Sequence, residues 1–226
     1  MFTEIIRSLL NGFMTTLALF AITLVFAVPL GLPITLASRC KFKPLRFVMR
    51  AFVWVIRSTP LMLQVLAVSL LPKYVFGAAV KDLAAALGTS VKSLNFIFVC
   101  VAFVINYACY FSEIYRAGID SVPQGQYEAG KVLGLSRSKT FGKVILMQVV
   151  KRIVPPMGNE IITLVKDTSL AQIIGVIDLL SAANEAVNTF ITLSPLVYAA
   201  VFYLVFNGLL TVLLSYAEKK LGYFKV

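Results

Sequence analysis

The chain of 226 residues contains no histidine. Acids are scarce too: 10 Asp and Glu stand against 21 Lys and Arg. Without imidazole, the side chain best suited to moving protons near neutral pH is missing. No nucleophile–base pair or metal-ligand constellation is present either, which sets intramembrane enzyme chemistry aside. The three cysteines, Cys40, Cys100 and Cys109, have neither the spacing of a metal site nor that of a disulfide framework. Cys100 and Cys109 lie in an apolar run, where a buried free thiol is the plain reading. There is no Gly-x4-Gly-Lys-Ser/Thr loop, so ATP is not held here by that route. No cofactor is expected. Repeats and low-complexity segments are lacking, and residues 1–226 read as one domain.

Apolar residues dominate what is there. The chain is 59% hydrophobic with a mean hydropathy of +0.89, far too apolar for a soluble domain of this size. Five charge-poor stretches, about 13–37, 51–71, 94–115, 156–177 and 194–216, are candidate spans, since about 20 residues cross a bilayer. Residues 3–12 mix Ile5, Ile6, Leu9 and Leu10 with Glu4, Arg7 and Asn11, a pattern that predicts a short interfacial helix. Pro29 and Pro33 predict a kink in the first span.

The net charge of +11 raises the question of nucleic acid. Its distribution answers for a membrane, and no nucleic acid partner is expected. Residues 39–50, residues 115–152 and the C-terminal tail (Lys219, Lys220, Lys225) together hold fifteen basic residues. The opposite side holds four: Arg7, Lys73, Lys81 and Lys92. The positive-inside rule then predicts five spans with the N-terminus out and the C-terminus in.

Polar side chains inside the spans are the candidate functional residues, because an ion near the bilayer centre costs about 2.5–3.5 kcal/mol on insertion scales. Arg57, Pro60 and Gln64 fall in the second span. Pro60 frees a backbone carbonyl and predicts a bend, with Arg57 either pairing with an acid or meeting a solute. Asn106 and Glu113 in the third span are seven apart and share a face. Glu113 and Arg116 have the spacing of a local ion pair. Asn159, Glu160, Thr163, Lys166, Asp167, Thr168 and Ser169 make the fourth span the most polar. Glu160 and Asp167 are seven apart on one face, which should look into the bundle or a cavity. Glu160 suits an ammonium or a cationic side chain. A pair with Lys166 is the alternative, and Lys166 with Asp167 reads as structure or gating.

The stretch 119–147 is polar, basic and punctuated by helix signals. Ser121 is a candidate cap and Pro123 an early helical residue. Tyr127–Leu133 reads as a short helix stopped by Gly134, and a second helix is expected from Ser136 or Ser138.

Glu128-Ala129-Gly130, then Gly134-Leu135, then Val144-Ile145-Leu146 resemble the "EAA" loop of permease subunits of bacterial ATP-binding-cassette importers. The family pattern is Glu-Ala-Ala, x3, Gly, x9, Ile-x-Leu-Pro. Gly130, Val144 and Met147 depart from it. The lost proline predicts a helix running through Met147 and breaking at Pro155-Pro156. Arg57-Ser58-Thr59-Pro60-Leu61-x-x-Gln64 resembles the family's Arg-Gly-Thr-Pro-Leu-x-x-Gln segment. Tyr110 to Ile119 is similar to its Tyr-x-x-Glu-Ile-x-Arg-Gly-Gly-Ile segment. Asn159-Glu160 with Lys166-Asp167-Thr168-Ser169-Leu170 resembles the polar-amino-acid subgroup, of histidine, glutamine or arginine permease type.

The resemblance implies an all-α, MetI-like permease fold of five transmembrane helices in the bacterial cytoplasmic membrane. It implies two copies of an ATPase subunit, a second permease (identical or sister), an extracytoplasmic amino-acid-binding protein and surrounding lipid. Glu128, Ala129, Gly130, Gly134 and Leu135 would dock on the ATPase, where ATP is hydrolysed. Glu160 leans the solute toward a cationic amino acid. The alternative is a gradient-driven secondary transporter or channel using Glu160 and Asp167; no obvious inverted repeat supports it.

Overall fold

In the computed structural model, residues 1–221 are described, with the side chain of Phe76 left aside; Lys225 lies outside the described residues. Those residues form helices joined by short turns, with no strand among them. The helices are α1 Phe2–Arg39, α2 Lys43–Ser58, α3 Leu61–Phe76, α4 Val80–Ala86 and α5 Val91–Asp120. They continue as α6 Gln124–Val132, α7 Arg137–Thr140, α8 Leu146–Asp167, α9 Leu179–Phe190 and α10 Ser194–Leu221. A π-helical turn, Phe141–Ile145, joins α7 to α8, and a 3-10 segment, Thr168–Ile174, extends α8.

Three helices, α1, α5 and α10, are long and apolar enough to cross a membrane singly. The bent pairs α2–α3 and α8–α9 bring the total to five if each counts as one span. A multi-pass membrane protein follows. Helices are the fold such a chain adopts, because each satisfies its own backbone polar groups where water is absent.

The main core forms where α1 crosses α5. Leu19, Phe20 and Ala27 of α1 meet Val99, Phe103 and Phe111 of α5. Gly31 permits the close approach: a Cβ there would lie 3.0 Å from Tyr115 Cε2 and 3.1 Å from Phe111 Cβ. Pro29 and Pro33 remove two backbone donors from α1. Polar groups from α5 and α1 brace that turn. Tyr115 OH donates to the Val28 carbonyl at 3.0 Å. Thr35 Oγ1 lies 2.8 Å from both the Gly31 and the Ser112 carbonyls, sharing its proton between its own helix and its neighbour.

Three expectations from the sequence need correction. Residues 3–12 do not form a separate interfacial helix: α1 is continuous from Phe2, and Ile5 and Leu9 are buried against Leu179, Ala182 and Ala199. Burying those side chains against α9 and α10 replaces a membrane surface as their apolar partner. The stretch 51–71 bends at Pro60 as its sequence predicts: it breaks at Thr59-Pro60, and α2 and α3 diverge by 109°. Pro60 has no N–H and forces the preceding residue into extended geometry, as Thr59 shows (φ −109, ψ 144). The helix does run through Met147, but it also runs through Pro155-Pro156. Ile153 sits over Gly118 of α5, and Val149 packs in the same cluster, so tertiary contacts hold the helix across the two missing donors. Ser121 does not cap α6; it ends α5, and Pro123 occupies the N-cap.

Beyond the fourth stretch, Gly175 (φ 78) turns the chain and Asp178 starts α9. Asp178 is fully buried. Its Oδ2 accepts from Leu180 N at 3.1 Å, and its Oδ1 from Ser181 N at 3.0 Å and Ser181 Oγ at 2.7 Å. Three donors make a buried carboxylate tolerable there. α10 presents nearly all of its apolar surface outward, as a helix facing lipid or another subunit does.

Candidate functional site

The α2–α3 break opens a cavity of about 580 Å³. Arg57, Ser58, Thr59, Pro60 and Leu61 form one wall, Asn106, Tyr107 and Tyr110 of α5 a second, and Glu160, Thr163, Asp167 and Leu170 a third. Of the residues read from the sequence, Arg57, Pro60, Asn106, Glu160, Thr163 and Asp167 are thus brought together.

Gln64 stands behind this wall and spans the break. Its Nε2 donates to the Ile56 carbonyl at 2.7 Å and to Thr59 Oγ1 at 2.8 Å. Its Oε1 accepts from Asn106 Nδ2 at 3.0 Å. One amide side chain therefore satisfies the carbonyl exposed at the end of α2 and ties both half-helices to α5. Leaving such groups unpaired in a water-poor interior costs several kcal/mol.

Among the described residues Arg57 is in no ion pair; its guanidinium lies 5.1 Å from the centroid of the Tyr110 ring, a cation–π arrangement. Asp167 accepts from Tyr107 OH at 2.7 Å rather than pairing with Lys166. None of the four ion pairs among the described residues includes Arg57, Glu160, Lys166 or Asp167. The cavity thus offers one guanidinium, one carboxylate without an ion-pair partner and one carboxylate held by a phenol. That set can bind the two ends of a zwitterion.

The other polar residues of the fourth stretch lie off the cavity wall. Asn159 and Lys166 are exposed. The Asn159 carbonyl accepts from Thr163 Oγ1 at 3.0 Å. Thr168 Oγ1 and Ser169 Oγ donate back to the Val165 and Lys166 carbonyls at 2.7 and 2.8 Å. These bonds stabilise the change from α to 3-10 geometry. Tyr107 and Tyr110 of α5 complete the wall beside Asn106. Their hydroxyls are a helical turn apart on α5, facing Asp167 and Arg57; only the neighbouring acid and base reveal that.

At the end of α5, Glu113 and Arg116 form the expected i, i+3 pair, with Arg116 Nε 2.9 Å from Glu113 Oε2. Arg116 also reaches Asp120 at 2.8 Å, and Asp120 pairs with Arg39 of α1. Asp120 and Arg39 gave no signal in the sequence, because their contact spans 81 residues.

From Asp120 the chain enters a knob of α6, α7 and the π turn. Gly130 lies against Thr140. Leu133 ends α6, Gly134 takes a left-handed φ of 69, and Leu135 N returns to the Gly130 carbonyl at 2.9 Å. That is the helix stop expected of a glycine at this position. Ser136 caps α7, accepting from Lys139 N at 3.4 Å. Arg152 of α8 donates to the Ser121 carbonyl and to Ser121 Oγ, holding the knob's base. Glu128 and Ala129 are exposed, and Val132 (87%) and Leu133 (76%) project an apolar tip from a polar, basic surface. Such a tip suits protein contact.

Comparison with known proteins agrees with this architecture. Residues 27–223 match the family model described as "Binding-protein-dependent transport system inner membrane component". The chain is 38% identical over 175 residues to the L-cystine transport system permease protein TcyB of Bacillus subtilis, covering 77% of this chain and 69% of that one. It is 31% identical over 214 residues to the arginine transport system permease protein ArtQ of the same organism, covering 94% and 92%. A solved structure of "an amino acid ABC transporter with histidines" superposes with a TM-score of 0.81 at 29% identity, covering 97% of this chain and 96% of that one. With a model match over most of its length, fold likeness across nearly all of it, and a polar cavity between its helices, the chain belongs to the family of binding-protein-dependent transport system inner membrane components.

Proposed function

We propose that this chain is the permease subunit of an ATP-binding-cassette importer for polar or charged amino acids. The cavity carries the reading: Arg57 is placed for a carboxylate, and Glu160 and Asp167 for an ammonium or a cationic side chain. The relatives named for L-cystine and arginine transport support the same solute class. Among the described residues Glu160 has no ion-pair partner, which leans the choice toward cationic amino acids.

In this reading the five spans place the N-terminus out and the C-terminus in, in the bacterial inner membrane. The knob of residues 119–147 then meets a separate ATPase subunit in the cytoplasm. Glu128, Ala129, Gly130, Gly134 and Leu135 shape the docking surface, with Val132 and Leu133 as its apolar tip. Two ATPases, a second permease and an extracytoplasmic binding protein complete the assembly. The solute crosses between helices when the ATPases close and the knob moves; no bond in the solute is made or broken.

Reconstitution tests this directly. The complex purified through this chain is placed in proteoliposomes with its binding protein, and uptake of labelled L-arginine, L-cystine and L-glutamine is followed with and without ATP. ATP-dependent uptake of at least one, abolished by a Lys at Ala129 or Gly134, is the expected result. Uptake by the chain alone without an ATPase would overturn the reading.

A further inference from the structure

A second cavity, of about 330 Å³, lies beside the first and shares Arg57 with it. Its lining is Ser38, Arg50, Val53, Trp54, Arg57, Ser112, Glu113 and Arg116. Three of these are guanidiniums and one is a carboxylate, and that carboxylate is already held by Arg116. Arg50 donates from its Nε to the Ser38 carbonyl at 3.1 Å, and among the described residues its two terminal nitrogens make no hydrogen bond. The first cavity is acidic on its far wall; the second is strongly basic.

The basic character continues along α2. Lys43, Arg46, Arg50 and Arg57 are separated by three, four and seven residues, so they share one helical face. None is in an ion pair among the described residues. Lys43, Arg46 and Arg50 belong to the basic segment before the second span, and Arg57, inside that span, has to face water, a partner or a passing anion.

We infer that Arg50 and Arg57, beside the Arg116–Glu113 pair, form a second subsite, which takes the carboxylate of the amino acid as it leaves the first cavity toward the knob end of the bundle. The inference rests on the proposed function above. At Arg57, depth separates the solute from a lipid headgroup as the ligand. Arg57 lies over Tyr110, ten residues before the end of α5, about 15 Å inside at 1.5 Å rise per residue. A lipid phosphate stops at the helix ends. A carboxylate held by Arg57 from one cavity can pass to Arg50 in the next without losing its guanidinium contact, which avoids the cost of a bare buried charge. The 330 Å³ volume holds the backbone end of one amino acid.

The test uses the reconstituted complex with its ATPase and binding protein, in vesicles of pure phosphatidylcholine and in vesicles with added phosphatidylglycerol. The probes are labelled L-arginine and L-cystine, and ATP hydrolysis is measured in parallel. Arg50→Gln should cut uptake about tenfold, the scale of one lost charge-assisted hydrogen bond, in both lipids. ATP hydrolysed per solute delivered should rise, and Arg50→Lys should restore much of the uptake. Uptake by Arg50→Gln equal to the parent would overturn the subsite. So would a defect confined to phosphatidylglycerol vesicles, which assigns the cluster to lipid phosphate. Equal loss of uptake and ATP hydrolysis without rescue by Lys makes Arg50 a packing residue and overturns it too. A parent complex that imports neither probe nor L-glutamine points instead to failure of the proposed function.

Discussion

Gly130 in α6 lies directly beneath Thr140 in α7: a Cβ built on the glycine would sit 2.6 Å from Thr140 Oγ1 and nearer still to its methyl. The glycine that departs from the Glu-Ala-Ala pattern is therefore the complement of a threonine ten residues on. Gly130→Ala should overpack this contact and lower the knob's stability by about 1–3 kcal/mol. Gly130→Ala with Thr140→Ala should recover part of the loss. Thermal unfolding of the purified complex and ATP-dependent uptake check both; an unaffected single variant would show that the two short helices slide apart freely.

Gln64 and Asn106 should behave as one unit. Asn106→Ala leaves Gln64 Oε1 without its donor, at a cost of about 1–3 kcal/mol for a part-buried group. A double-mutant cycle with Gln64→Ala, read by the melting temperature, should show the second substitution costing less once the first is present.

Asp120 joins Arg39 and Arg116, yet the three side chains are a third or more exposed or nearly so (Arg39 33%, Arg116 32%, Asp120 44%). Asp120→Asn should therefore cost no more than about 1 kcal/mol. Raising salt should shrink the difference from the parent, as measured by unfolding at several ionic strengths.

Glu160→Gln keeps the shape of the cavity and removes a charge. Uptake of L-arginine should fall by about tenfold, from one charge-assisted contact, with a smaller effect on L-glutamine. Parallel loss for both would assign Glu160 to the α-ammonium shared by all amino acids.

The sequence shows the long spans well. α5 and α10 are uninterrupted apolar runs, and the stop at Gly134 and the cap at Ser136 follow from local chemistry. What it hides is set by partners far away in the chain. Pro155-Pro156 looks like a break until Ile153 is seen packed over Gly118. Asp178 looks like a loop acid until its three donors and full burial appear. In the cavity, period-seven spacing correctly puts Glu160 and Asp167 on one wall. That Asp167 binds Tyr107 and Arg57 covers Tyr110 depends on contacts across 60 and 53 residues, which spacing within one helix cannot reveal.

The shared proton of Thr35 also constrains how the bundle can deform. With α1 stitched to α5 through Thr35, Tyr115 and the close approach at Gly31, those two helices form a stator. Bending of the bundle is then concentrated at the elbow bridged by Gln64 and at the 3-10 segment after Asp167. Thr59, Pro60 and Leu170 at these joints line the same cavity, so flexing either one reshapes its walls.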